Sequence, residues 1–86
     1  MVWLVAYDIS DDAKRQKVGK LLSKYGFRIQ YSVFYIPSAS ESEIEKLRLE
    51  IKHIVNRKTD RVFFYPLEGF PMLMGYPLEP FDLEVL

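Results

Sequence analysis

Met1-Val2-Trp3-Leu4-Val5-Ala6-Tyr7-Asp8-Ile9 decides how the rest of the chain is read. Both alternating sets are apolar, Val2, Leu4 and Ala6 on one side and Trp3, Val5 and Tyr7 on the other, so a strand over 2–9 needs cover on both faces. Helices supply one cover. For so small a protein, a second subunit is the simplest source of the other. The apolar run stops at a single carboxylate, Asp8, and an acid at a strand's end is a good place to hold a metal.

Working outward, Ser10 or Asp11 caps the next element, with acids in its first turn to complement the helix dipole. Val18, Leu21, Leu22 and Tyr25 follow at i, i+3, i+4 and i+7, which predicts a helix with one apolar stripe, closed by Gly26 as a left-handed cap. Phe27 to Ile36 alternates between two faces and reads as one half-buried strand, ended by Pro37-Ser38. Ser40-Glu41-Ser42-Glu43 is a capping box. Behind it Ile44, Leu47, Ile51, Ile54 and Val55 form the stripe of a second helix ending near Asn56.

A polar turn, 56–60, leads into a third strand, RVFFYPL at 61–67, with Pro66 near its end. A turn at 68–71 and a short fourth strand at 72–75 follow. Pro77 and Pro80 make 76–80 irregular, and 81–86 alternates apolar and acidic residues, suited to a strand on the edge of its own or a partner's sheet. No repeat or linker divides the 86 residues, so 1–86 is one domain with 76–86 as its tail. The elements predict an α+β fold, the ferredoxin-like βαββαβ plait with a short extra C-terminal strand. Its two helices cover one sheet face; the other, rich in aliphatic and aromatic residues, predicts a homodimer through the sheet faces.

Composition narrows the chemistry. With 49% hydrophobic and 15% aromatic residues the chain is too apolar to be disordered. It has no Cys and one His, His53, which excludes disulfides, thiolate sites and multi-histidine zinc centres. Any metal is therefore held by oxygen, which favours magnesium or manganese. The apolar start is too short to span a membrane and no basic segment precedes it, so the expected location is the cytoplasm.

Twelve basic and twelve acidic residues cancel, but they are not mixed. Between Ala13 and Ser40 stand Lys14, Arg15, Lys17, Lys20, Lys24 and Arg28 without one acid. That run is an electrostatic footprint for the phosphates of a nucleic acid. Arg15 and Arg28 have the guanidinium geometry to bind phosphate oxygens in a bidentate manner.

Tyr7-Asp8-Ile9-Ser10-Asp11-Asp12, the basic helix through Lys17-Val18, and Tyr25-Gly26-Phe27-Arg28-Ile29-Gln30-Tyr31-Ser32-Val33-Phe34 closely resemble the small CRISPR-associated endoribonuclease family, the second core Cas protein. That family's pattern is a strand ending in YD, a basic helix, then a YG-x-R-x-Q-x-SVF strand. All three stand here in order and at matching spacing over about the first 36 residues. Two positions depart from it. Lys17 stands where members often carry Arg, offering a point charge in place of a fork, and Tyr35 where many carry Glu.

The resemblance implies a symmetric homodimer in which Asp8 meets its twofold mate and the two bind a divalent cation. It implies a metal-dependent nuclease on RNA or double-stranded DNA, with Tyr7, Asp8, Arg15, Arg28 and Phe34 at the positions linked to activity. It also implies a role in spacer acquisition as the adaptor that bridges dimers of the CRISPR integrase, for which the 76–86 tail could dock by strand addition. Two other classes built on this plait find less support. An RNA-recognition module needs paired aromatic motifs on a free sheet face, and a small-molecule regulatory domain needs a Gly-rich loop, whereas the four Gly here are scattered.

Overall fold

The computed structural model describes residues 1–68. Its elements are β1 (Val2–Asp8), α1 (Asp12–Leu22), β2 (Phe27–Gln30), β3 (Val33–Ile36), α2 (Glu41–Lys52) and β4 (Arg61–Leu67). The strands form one antiparallel sheet in the order β2-β3-β1-β4. This is the ferredoxin-like βαββαβ plait.

β1 lies inside the sheet, paired with β3 on one edge and β4 on the other, as its apolar composition requires. Trp3, Val5 and Tyr7 are buried under the helices, and the register places Phe34 and Ile36 of β3 beside them on that face. Val18 and Leu22 from α1, with Ile44, Leu47 and Ile51 from α2, close the core. The Trp3 indole satisfies its one polar atom by donating to the Ala39 carbonyl at 3.3 Å. Val2, Leu4 and Ala6 face the other way and are only half-buried. Phe63 and Tyr65 of β4, opposite Ala6 and Leu4, continue that open face with 44% and 48% of their surface exposed. Pro66 is tolerated because β4 is the edge strand of the described sheet.

The helix starts follow the sequence closely. Asp11 caps α1 by accepting from the Lys14 amide at 2.9 Å, and Ser40 and Glu43 form the complete capping box of α2. The helix ends do not. α1 stops at Leu22 with Ser23 as its cap, and α2 stops at Lys52 with His53, short of Asn56. Gly26 is not in the left-handed region. A Cβ there would lie 2.0 Å from the Tyr35 carbonyl oxygen, so close backbone approach selects the glycine.

Residues 27–36 form two strands where the alternation predicts one. β2 and β3 make a hairpin with Tyr31-Ser32 at its tip and an irregularity between Arg28 and Gln30. Neither tip residue is Gly, Asn or Asp, the usual signal for so tight a connection. A contact from β1 holds it, the Ser32 carbonyl accepting from the Tyr7 amide at 3.0 Å, and within the hairpin the Tyr31 carbonyl accepts from Arg28 Nη1 at 3.5 Å. With the hairpin counted, Arg61–Leu67 is the fourth strand of the plait. The expected 72–75 strand and the 76–86 tail lie outside the described residues. No helix among the described residues is long and apolar enough to cross a membrane.

Asp60 ties the loop before β4 to the end of β1. Its carboxylate accepts from the Asn56 amide at 2.8 Å, the Thr59 hydroxyl at 3.0 Å, and the Ser10 amide and hydroxyl at 3.2 and 3.3 Å. The Asn56 bond is the largest of the effects that hold its pKa below the ordinary carboxylate value. A depressed folded-state pKa stabilises the fold above the unfolded value of about 3.9, and that contribution fades as pH falls through the folded value. Asp60→Asn should therefore lower Tm at pH 7 by a few degrees and flatten the fall in Tm below about pH 4. Superimposable Tm profiles for the two proteins would contradict this assignment.

Candidate functional site

The sequence-selected residues fall on two sides of one sheet corner. Tyr7 and Asp8 are consecutive in β1, so their side chains leave opposite faces. Asp8 is exposed on the open face at the end of the strand, with Arg61 as its neighbour across β4. The two form no ion pair. The other acids near this corner are engaged: Asp11 caps α1, Asp12 pairs with Arg15, and Asp60 holds Ser10. The Asp8 carboxylate alone among them makes no hydrogen bond or ion pair within the described residues. A strand-end acid that served the fold would be capping a turn or helix, and Asp8 caps neither.

On the helix-covered face, Tyr7, Phe34, Arg28 and Gly19 converge. The Tyr7 and Phe34 rings stack with centroids 6.3 Å apart at 26°. The Arg28 guanidinium lies over the Phe34 ring, 5.2 Å from its centroid. Gly19, buried in α1, makes room for it: a Cβ there would be 2.8 Å from Arg28 Nη2 and 3.6 Å from the Tyr7 hydroxyl. A glycine inside a helix costs about 1 kcal/mol relative to alanine. Here it lets a guanidinium and a phenol approach the helix backbone.

The Tyr7 hydroxyl is buried with no hydrogen-bond partner among the described residues. Burial raises its pKa, against the opposing charge of Arg28, so it is a neutral hydroxyl at physiological pH. A buried hydroxyl without a partner costs about 1–3 kcal/mol. It is a group in want of a hydrogen-bonding partner, close to an arginine.

The basic residues divide as well. Arg15 is partly committed: Nη1 donates to the Ile9 carbonyl at 3.0 Å, Nη2 pairs with Asp12, and its guanidinium lies 5.7 Å from the centroid of the Tyr31 ring. Among the described residues Arg28 keeps most of its donors open, since its one hydrogen bond, to the Tyr31 carbonyl, is at the limit of length. Lys17, Lys20 and Lys24 line a groove of about 580 Å³ between α1 and α2, floored by Leu21 and Ile54. Lys14 stays at the first turn of α1, where its amide serves the Asp11 cap. Neither ion pair of the described residues uses any of the four lysines.

Gly19 and Tyr31 were not among the residues singled out from the sequence. A glycine inside an amphipathic helix was the available sign of the first. Tyr31 had no local sign, because the alternating pattern hid the hairpin tip.

No cluster of three or more His, Cys, Asp or Glu side chains able to hold a metal occurs among the described residues. Asp8 supplies a hard oxygen donor suited to magnesium or manganese, but only one such side chain per subunit. That single carboxylate fits a divalent cation as one ligand of its shell and leaves the rest of the shell to other oxygen donors.

Residues 1–69 match the family model described as CRISPR associated protein Cas2. The chain is 41% identical over 68 residues to a protein of Synechocystis sp. named CRISPR-associated endoribonuclease Cas2 3, covering 79% of this chain and 73% of that one. The crystal structure of Streptococcus pyogenes Cas2 at pH 6.5 superimposes with a TM-score of 0.73 at 33% identity, covering 79% of this chain and 87% of that one. A chain of a partial Cas6-RT-Cas1–Cas2 complex superimposes with a TM-score of 0.61 at 28% identity, covering 73% and 76%. The strand ending in Tyr7-Asp8, the basic α1 and the Arg28 to Phe34 hairpin all fall inside the matched region, and the chain belongs to the CRISPR associated protein Cas2 family.

Proposed function

We propose that two copies of this chain pack through their open sheet faces and bring their Asp8 carboxylates together around one divalent cation, magnesium or manganese. The dimer is an endonuclease that hydrolyses phosphodiester bonds of RNA or double-stranded DNA, and it works in CRISPR spacer acquisition. The observation that carries this reading is Asp8, whose carboxylate has no partner among the described residues and is exposed on a face whose Phe63 and Tyr65 invite an apolar partner. Relatives named endoribonuclease and endonuclease support the activity.

A cation held between the two carboxylates would polarise a phosphoryl oxygen and make water a better nucleophile at neutral pH. The chain's own residues do the rest. Lys14, Lys17, Lys20 and Lys24 draw in the polyanion without reading its sequence. Arg28, oriented by the Phe34 ring and the gap over Gly19, presents its free donors to a phosphate. Arg15 is a weaker clamp because Ile9 and Asp12 already occupy part of its fork. Tyr7 and Phe34 support Arg28 from beneath.

A second reading is a non-catalytic adaptor that holds DNA and bridges CRISPR integrase dimers. The structural likeness to a chain of a Cas1–Cas2 complex favours it. The Asp8 carboxylate separates the two. Asp8→Asn keeps the shape and removes the charge, and in the nuclease it should cut metal-dependent cleavage at least about 100-fold, beyond what outer-shell changes around metals usually cost. Dimer mass and integrase-complex formation should be unchanged. Cleavage that survives Asp8→Asn would eliminate the Asp8-centred site, and an unaltered chain that forms the integrase complex without cleaving would favour the adaptor.

The open-face dimer has its own check. Phe63→Lys places a charge on the apolar face while leaving the helix-side core untouched. It should convert the dimer to a folded monomer by light scattering and abolish cleavage with it. A Phe63→Lys protein that remains dimeric would place the interface elsewhere.

A further inference from the structure

Tyr31 is the most exposed large hydrophobic side chain among the described residues, with 69% of its surface accessible. It stands at the tip of the β2–β3 hairpin, where turns ordinarily carry small or polar residues. The ring contributes nothing to the buried core. Arg15, reaching from α1, covers one of its faces at 5.7 Å. That arginine is fixed by the Ile9 carbonyl and the Asp12 carboxylate, so the cation behind the ring is held in place. The tip itself is pinned to β1 through the Tyr7 amide and the Ser32 carbonyl. The Tyr31 carbonyl meets the Arg28 guanidinium, whose remaining donors are open among the described residues.

An aromatic ring held rigidly, backed by a cation on one side and with much of its surface exposed, beside a guanidinium with free donors, suits one ligand class. We propose that Tyr31 is a stacking platform for an unpaired nucleobase, with Arg28 taking the adjoining phosphate. The assignment rests on the nucleic-acid reading above and deepens it, since it selects single-stranded ends, gaps or flaps over continuous duplex. Paired bases inside a duplex have both faces covered and cannot stack on a side chain. Stacking of one base on an aromatic residue is sequence-tolerant, because every base offers a π face.

The test is binding of the full chain to two fluorescently labelled DNA duplexes of equal length, one blunt and one with single-stranded overhangs, followed by anisotropy. Tyr31→Ala should weaken binding to the overhang duplex by about 5- to 150-fold, the range of one lost base–aromatic stack. Binding to the blunt duplex should be unchanged. Tyr31→Phe should bind both as the unaltered chain does, and the salt dependence should be the same in all three, since no phosphate contact is removed. Tyr31→Trp reports directly, by quenching of its emission on adding the overhang duplex.

Equal affinity of Tyr31→Ala and the unaltered chain for the overhang duplex would overturn the platform. So would equal losses on both duplexes, a Tyr31→Phe defect as large as that of Tyr31→Ala, or absence of quenching in Tyr31→Trp. If the unaltered chain binds neither duplex, the nucleic-acid reading falls and the platform with it. If it binds both and the Tyr31 variants are indifferent, the platform alone falls.

Discussion

Everything in this small sheet depends on β1 being apolar on both faces and hydrogen-bonded on both edges. A strand of that kind can only lie inside a sheet, and its helix-side residues fix where α1 and α2 settle. The same composition leaves Val2, Leu4 and Ala6 half-buried on the other side, an apolar face the described residues of one chain do not close. The strand's end then becomes the place where burial gives way to exposure. Tyr7 and Asp8 straddle that boundary, one beneath the helices and one on the open face.

This split gives the site its logic. The helix side gathers Tyr7, Phe34, Arg28 and Gly19 into a rigid support for a guanidinium. The open side carries the Asp8 carboxylate, which makes no hydrogen bond or ion pair among the described residues. Within one chain the two stand on opposite faces of the sheet. The proposed face-to-face dimer would join two carboxylates while leaving the basic helices on the outside.

Much of this was legible in the sequence, for reasons that differ by element. The Ser40–Glu43 box and the apolar stripes of both helices are local patterns, and local physics settles them. The 27–36 hairpin was not legible, because its two-residue tip has no glycine or asparagine and is held by Tyr7 and Arg28 from outside the turn. A glycine after an apolar stripe reads as a left-handed cap, whereas the constraint on Gly26 is the Tyr35 carbonyl, a contact nine residues away. At the site, Asp8 could be picked out from its position at a strand end. That Arg15 is engaged by Ile9 and Asp12, and that it backs the Tyr31 ring, are tertiary facts with no signature in spacing.

The central claim is that two Asp8 carboxylates make one cation site. Counting manganese ions bound to the purified dimer, by paramagnetic resonance titration at neutral pH, tests it most directly. The account predicts one ion for every two chains, lost in Asp8→Asn while the protein remains dimeric. Two ions per dimer, or one ion that persists without the Asp8 charge, would contradict it.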